Sequence, residues 1–148
     1  MSEWNIIKTS ADIDNLIKEY YGFHDTCLVE AYYKTGEFVD ENNGMHFASR
    51  NKKELHMIFH SQWKDTPLEL CFTGVKQCRF GGWTEIYGPE IVDCYLAFHT
   101  DLFLPRLDDP LIVWASEMCF SPKDDIEILR EPPVSFVIAT DLKWRFHE

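Results

Sequence analysis

The apolar residues of this chain change period once, near Gly22. Before that point, Ile13, Leu16, Ile17 and Tyr20 recur at the i, i+3, i+4, i+7 spacing of one helical face, which predicts a helix over residues 10–20. Thr9 or Ser10 can cap its start, and Asp12 and Asp14 suit the positive end of its dipole. Gly22 stands where a helix stop is expected. After Gly22 the period is two. Strands are predicted over residues 26–34, 45–49, 55–60, 68–80, 91–99 and 111–118, with a bend at Gly74. Turn signals separate them: Thr35-Gly36, Asp40-Glu41-Asn42-Asn43-Gly44, Asp65-Thr66-Pro67 and Gly81-Gly82.

The final segment has the clearest alternation. Val134, Phe136, Ile138, Leu142, Trp144 and Phe146 share one parity, broken by Thr140. Ser135, Asp141, Lys143, Arg145 and His147 share the other. The expectation is one buried and one wet face, as antiparallel sheets allow. Pro132-Pro133 prevents helix just before it. One helix and roughly seven strands joined by short turns predict an α+β domain, predominantly antiparallel, with the helix packed on a curved sheet or sandwich. With no internal repeat and no linker, a single domain over 1–148 is expected.

Composition adds rings to this picture. Eleven Phe, six Tyr and five Trp are far more than a small core strictly needs, and each buries on the order of 150–250 Å². Some are expected to line a concave surface, with Trp63, Trp83, Trp114, Trp144 and Arg145 as candidates. The parity of Trp144 places it in the core instead. No run of apolar residues is long enough to cross a membrane as a helix, and Met1 to Asn5 lacks a basic segment followed by an apolar one. A cytoplasmic protein is expected. Cys27, Cys71, Cys78, Cys94 and Cys119 form no C-x-x-C pair and mostly sit in apolar runs, so buried, reduced thiols are expected and a zinc site is not.

Charge narrows the partners. The formal net charge is −11. That argues against nucleic acid and anionic membranes and permits a basic protein partner. The charge is concentrated: Glu85 to Glu131 holds eleven acids against three bases. Asp93, Asp101, Asp108, Asp109, Asp124, Asp125 and Glu127 are the candidate docking residues for something cationic.

The usual catalytic signatures are missing. Gly81-Gly82 has neither phosphate-loop spacing, and no G-x-S-x-G is present. His56 and His60 stand four apart, but on a strand their rings lie about 13 Å from each other, too far to share a metal. Asp108-Asp109 and Asp124-Asp125-Ile126-Glu127 lack calcium-loop spacing. No metal or cofactor is therefore expected. Phe23-His24-Asp25 sits between the helix and the first long strand. As strand neighbours, His24 and Asp25 would face opposite ways, which weakens a general-base reading. The plainer reading is a corner, with Phe23 in the core and His24 or Asp25 tying down backbone.

Phe23-His24-Asp25, Gly36-x-x-Val39-Asp40-Glu41, Leu68-Glu69-Leu70-x-Phe72 and Leu142-Lys143-Trp144-Arg145, taken together over roughly residues 20–146, resemble a family of uncharacterised bacterial proteins of about this length. More loosely, a small acidic domain opening this way is similar to the immunity-type proteins of bacterial toxin systems. The resemblance implies no catalytic residue. The expected function is a non-enzymatic binding protein, of the immunity type, that neutralises a basic toxin through its acidic surface. The alternative is a small-molecule binder or small enzyme with an aromatic-lined cavity in the sheet, using His24, Asp25 and Glu30. A structural or self-associating role is the third reading.

Overall fold

A computed structural model describes residues 2–81, 90–103, 109–126 and 134–147. The candidates Asp108, Glu127 and Trp83, the second residue of the Gly81-Gly82 turn, and Pro132-Pro133 lie outside the described residues.

Among the described residues the fold is α+β around a seven-stranded antiparallel sheet. The chain runs β1 (Asn5–Ile7), α1 (Ser10–Glu19), β2 (Thr26–Lys34), β3 (Phe38–Val39), β4 (Met45–His46), β5 (Glu54–Ser61), β6 (Leu68–Arg79), β7 (Tyr95–His99), β8 (Leu111–Ala115), α2 (Pro122–Asp125) and β9 (Phe136–Phe146). The sheet order is β2-β5-β6-β9-β8-β7. β1 pairs with β9 at Leu142 to Trp144, along the stretch of that edge that β8 leaves free. β3 and β4 form a separate two-stranded ribbon. None of the described helices is long and apolar enough to cross a membrane.

Local chemistry explains α1. Thr9 Oγ1 accepts from the Asp12 backbone N–H, and the Asp12 carboxylate accepts from the Thr9 N–H, forming a capping box. The backbone N–H of Lys8, and after it that of Thr9, donate to the Asp12 carboxylate and hold it below its ordinary pKa. Ile13 and Leu16 of the helix, and Tyr20 at its end, share one buried core with Leu55, Met57, Phe59, Leu70, Leu142 and Trp144 of the sheet.

Several expected strands are shorter. β4 covers only Met45–His46 of the 45–49 segment, because its partner β3 has two residues. Of residues 91–99, only Tyr95–His99 is strand; Ile91 makes a single bridge to Thr26. β8 stops at Ala115. β1 carries no periodicity in three residues and was not expected.

The alternation of β9 is also corrected. Leu142 and Trp144 face the helix-side core, but so do Val137 and Ala139, whereas Phe136 and Ile138 enter a second cluster with Leu111, Val113, Phe120 and Val134. The strand therefore changes faces around Thr140. β6 does the same between Phe72 and Val75, across Gly74, whose φ is +69°. A Cβ on Gly74 would lie 2.1 Å from Thr140 Oγ1, so glycine is required there. The bend expected at Gly74 is real, and it leaves the first half of β9 buried on both faces. Cysteines are corrected too: Cys71 and Cys94 are buried, but Cys27, Cys78 and Cys119 are exposed.

Candidate functional site

The turn after α1 is built almost wholly from left-handed backbone. Tyr21, Gly22, Phe23 and Asp25 have φ of 51°, 66°, 62° and 53°. Only glycine takes that region without cost; each other residue costs roughly 1–2 kcal/mol. Such a concentration persists only where surrounding contacts over-determine it. Those contacts are present. Phe23 is fully buried, edge-on to Tyr20 and Phe59 and tilted against Trp114. The Cys94 N–H donates to the Gly22 carbonyl, and the Gln62 N–H to the Asp25 carbonyl. Thr26 Oγ1 donates to the Phe23 carbonyl at 2.9 Å.

This turn brings His24 and Asp25 to one side. His24 Nε2 is 3.3 Å from Asp25 Oδ2, so the opposed facing expected of strand neighbours does not apply: the positive φ of Asp25 removes the alternation. His24 Nδ1 donates to the Val92 carbonyl at 2.9 Å, and a carbonyl can only accept, so that nitrogen carries hydrogen. Trp63 Nε1–H donates to Asp25 Oδ2 at 2.9 Å. That indole donor first, then a hydrogen bond shared with Glu90 and the charge of His24, hold the Asp25 carboxyl below its ordinary value against the opposing effect of desolvation.

The result is an open cleft of about 410 Å³ lined by Tyr21, His24, Trp63 and Asp93. Its two rings are unusually free, Tyr21 at 57% and Trp63 at 60% exposure. Asp93 Oδ1 lies 3.8 Å from His24 Nδ1. The cleft thus offers aromatic faces beside carboxylates, which is the chemistry of cation recognition. All four lining residues stand outside the strands, so the cleft sits at the loops and not inside the sheet.

The candidate residues distribute unevenly. His24, Asp25 and Asp93 meet here, joining the acidic set to the ligand set. Glu30 does not: it is exposed on β2 opposite Ile58. Asp101 is paired with Lys123 at 2.7 Å. Asp124 and Asp125 accept from Ser121, the residue just before α2. Asp109 is exposed. Sequence reasoning missed Tyr21 as a cleft wall. Its signal was position, two residues past α1 and outside the apolar stripe.

Comparison with protein-family models, with curated proteins and with solved structures returned no match.

Proposed function

We propose that the protein is a non-enzymatic binding protein whose acidic, aromatic cleft takes a cationic side chain of a basic partner. The observation that carries this reading is the approach of Asp25 and Asp93 to His24, beside the exposed rings of Tyr21 and Trp63. A guanidinium or ammonium over an indole gains about 0.5–2 kcal/mol. The surrounding net charge of −11 raises the encounter rate of a basic partner more than its affinity. An immunity-type role against a basic bacterial toxin is in keeping with this chemistry and with the resemblance of the motifs.

The test is titration calorimetry with an arginine-rich peptide at low and high salt. Binding should fall roughly 2–30-fold in Trp63→Ala, the loss of one cation–π contact. Asp93→Asn should also weaken it, and Asp109→Asn, away from the cleft, should change it little. If the peptide bound Trp63→Ala and Asp93→Asn as it binds the unaltered chain, the cleft would not be the docking site. A second reading, a small cationic ligand, is favoured by the cleft's size, which falls within the range of small-molecule sites. Saturable binding of free arginine amide with no gain from a longer peptide would select it.

A further inference from the structure

The face of the sheet turned away from α1 carries polar side chains packed as tightly as a core. The register of β5, β6 and β9 sets His56 opposite Cys71, and Cys71 opposite Lys143. In the adjacent row, Ile58 stands opposite Glu69, and Glu69 opposite Arg145. Glu54 lies two residues before His56 on the same strand and therefore on the same face. Cys71 is fully buried. The His56 side chain is only 11% exposed, covered by the stacked ring of Tyr32, 4.6 Å away and within 6° of parallel.

We propose that Glu54, His56 and Cys71 form a zinc(II) site, held in place by Glu69. Three donor atoms of these residues lie within 4.8 Å of one another. His56 Nε2 is 3.0 Å from Glu54 Oε2 and 3.6 Å from Cys71 Sγ. A tetrahedral zinc with ordinary Zn–S and Zn–N lengths separates sulfur and nitrogen by about 3.5 Å. The Nε2–Sγ pair already has that spacing, and the carboxylate needs only to swing on its side chain. A thiolate, an imidazole and a carboxylate suit a borderline-soft ion and exclude calcium and magnesium as good fits. Three protein ligands leave a fourth position for water or a ligand.

Glu69 supplies the independent argument. His56 Nδ1 makes no hydrogen bond, yet it faces Glu69 Oε1 at 3.6 Å. Metal-bound histidines almost always donate their other N–H to a carboxylate or carbonyl, which sets tautomer and ring orientation. Ligation through Nε2 places the imidazole proton on Nδ1, toward Glu69, and gives that nitrogen its missing partner. Glu69 is 2% exposed and is itself held by Arg145 Nη2 at 3.0 Å and by His147. Cys71 would release its proton to solvent on binding the ion; burial holds that thiol up at about 11 in the metal-free protein.

Spacing along the chain hides this site. His56 and His60 are too far apart, and the sulfur comes from the next strand, 15 residues on. The test uses the full chain with Cys27, Cys78 and Cys119 changed to serine, so that no exposed thiol competes, and cobalt(II) as a coloured probe. One equivalent of cobalt should give a thiolate-to-metal charge-transfer band that zinc bleaches. Cys71→Ser and His56→Gln should each abolish the band. Glu69→Gln should keep the band but weaken affinity about 10–100-fold. No band at stoichiometric cobalt would overturn the proposal, as would a band surviving in a folded Cys71→Ser or His56→Gln protein. Should Cys71→Ser fail to fold by circular dichroism, His56→Gln alone decides between these outcomes.

Discussion

Two polar regions of this molecule are built on opposite principles. The cleft at Tyr21–Asp25 stands on strained backbone and holds its side chains loosely, with two large rings exposed. The cluster around Glu69 stands on regular strands and holds its side chains tightly, with a carboxylate almost wholly out of water. In the first, the backbone carries the cost and the side chains remain free to meet a ligand. In the second, the backbone is at ease and the cost is desolvation. A site that binds at the surface can be made by bending the chain. A site inside a sheet face needs complete pairing of its charges.

The largest test of this contrast is Arg145→Met. Removing one partner of a buried ion pair leaves the other charge uncompensated, which costs about 3–5 kcal/mol. Glu69 would then keep only His147 and the distant face of His56. Denaturant unfolding should show the full loss, whereas Glu69→Gln, which removes the buried charge itself, should lose distinctly less. Equal losses in the two variants would mean that packing, and not charge, holds this face.

This face also marks the boundary of what could be read from the sequence. Helix α1 was legible because its apolar spacing and its Thr9–Asp12 cap are local. The antiparallel α+β class was legible because the seven predicted strands show no helical periodicity between them; the short α2, four residues long, left no such signal. Glu69 and Arg145 lay within motifs visible in the chain, but nothing local says they are neighbours. Their meeting depends on β6 pairing with β9, and the two residues stand 76 positions apart in the chain. The face change at Gly74 and Thr140 was half legible: glycine announced the bend, but not that β9 would follow it. His24 and Asp25 were visible as a pair, yet the alternation rule pointed them apart. The rule failed because it presumes extended backbone, and Asp25 is left-handed. Tyr21 and Phe23 carry no sequence signal for positive φ, since bulky residues adopt it only when packing compels them.

A middle-sized effect separates strain from contact in the cleft. Gly22→Ala places a Cβ at ordinary distance from Asp93 Oδ1, 3.6 Å, so any loss is that of a left-handed alanine, roughly 1–2 kcal/mol. Tyr21→Gly does the reverse. It relieves a strained residue whose ring is exposed, so stability should hold or rise by up to about 1 kcal/mol, while binding of the arginine-rich peptide weakens. A pair of thermal melts with one titration series checks both. A Tyr21→Gly chain that is less stable would show that its ring packs usefully without a ligand.

The smallest effect is the most specific. The indole N–H of Trp63 is the leading reason that the Asp25 carboxyl lies below its ordinary value. A carboxyl with a folded pKa below its unfolded value, about 3.9, stabilises the fold above that value. The contribution is lost as pH falls through the folded pKa. Trp63→Phe keeps a ring at the cleft wall but removes the donor, so the Asp25 pKa should rise toward its unfolded value. The variant and the parent chain should then differ above about pH 4 and converge below it, as Asp25 becomes protonated in both. Measuring the denaturant midpoint from pH 6 down to pH 2.5 in the two proteins isolates this group, because the remaining carboxylates are common to both. Parallel curves, offset by a constant at every pH, would mean that Trp63 touches Asp25 only sterically. The aromatic wall and the acidic wall would then be independent parts of the site.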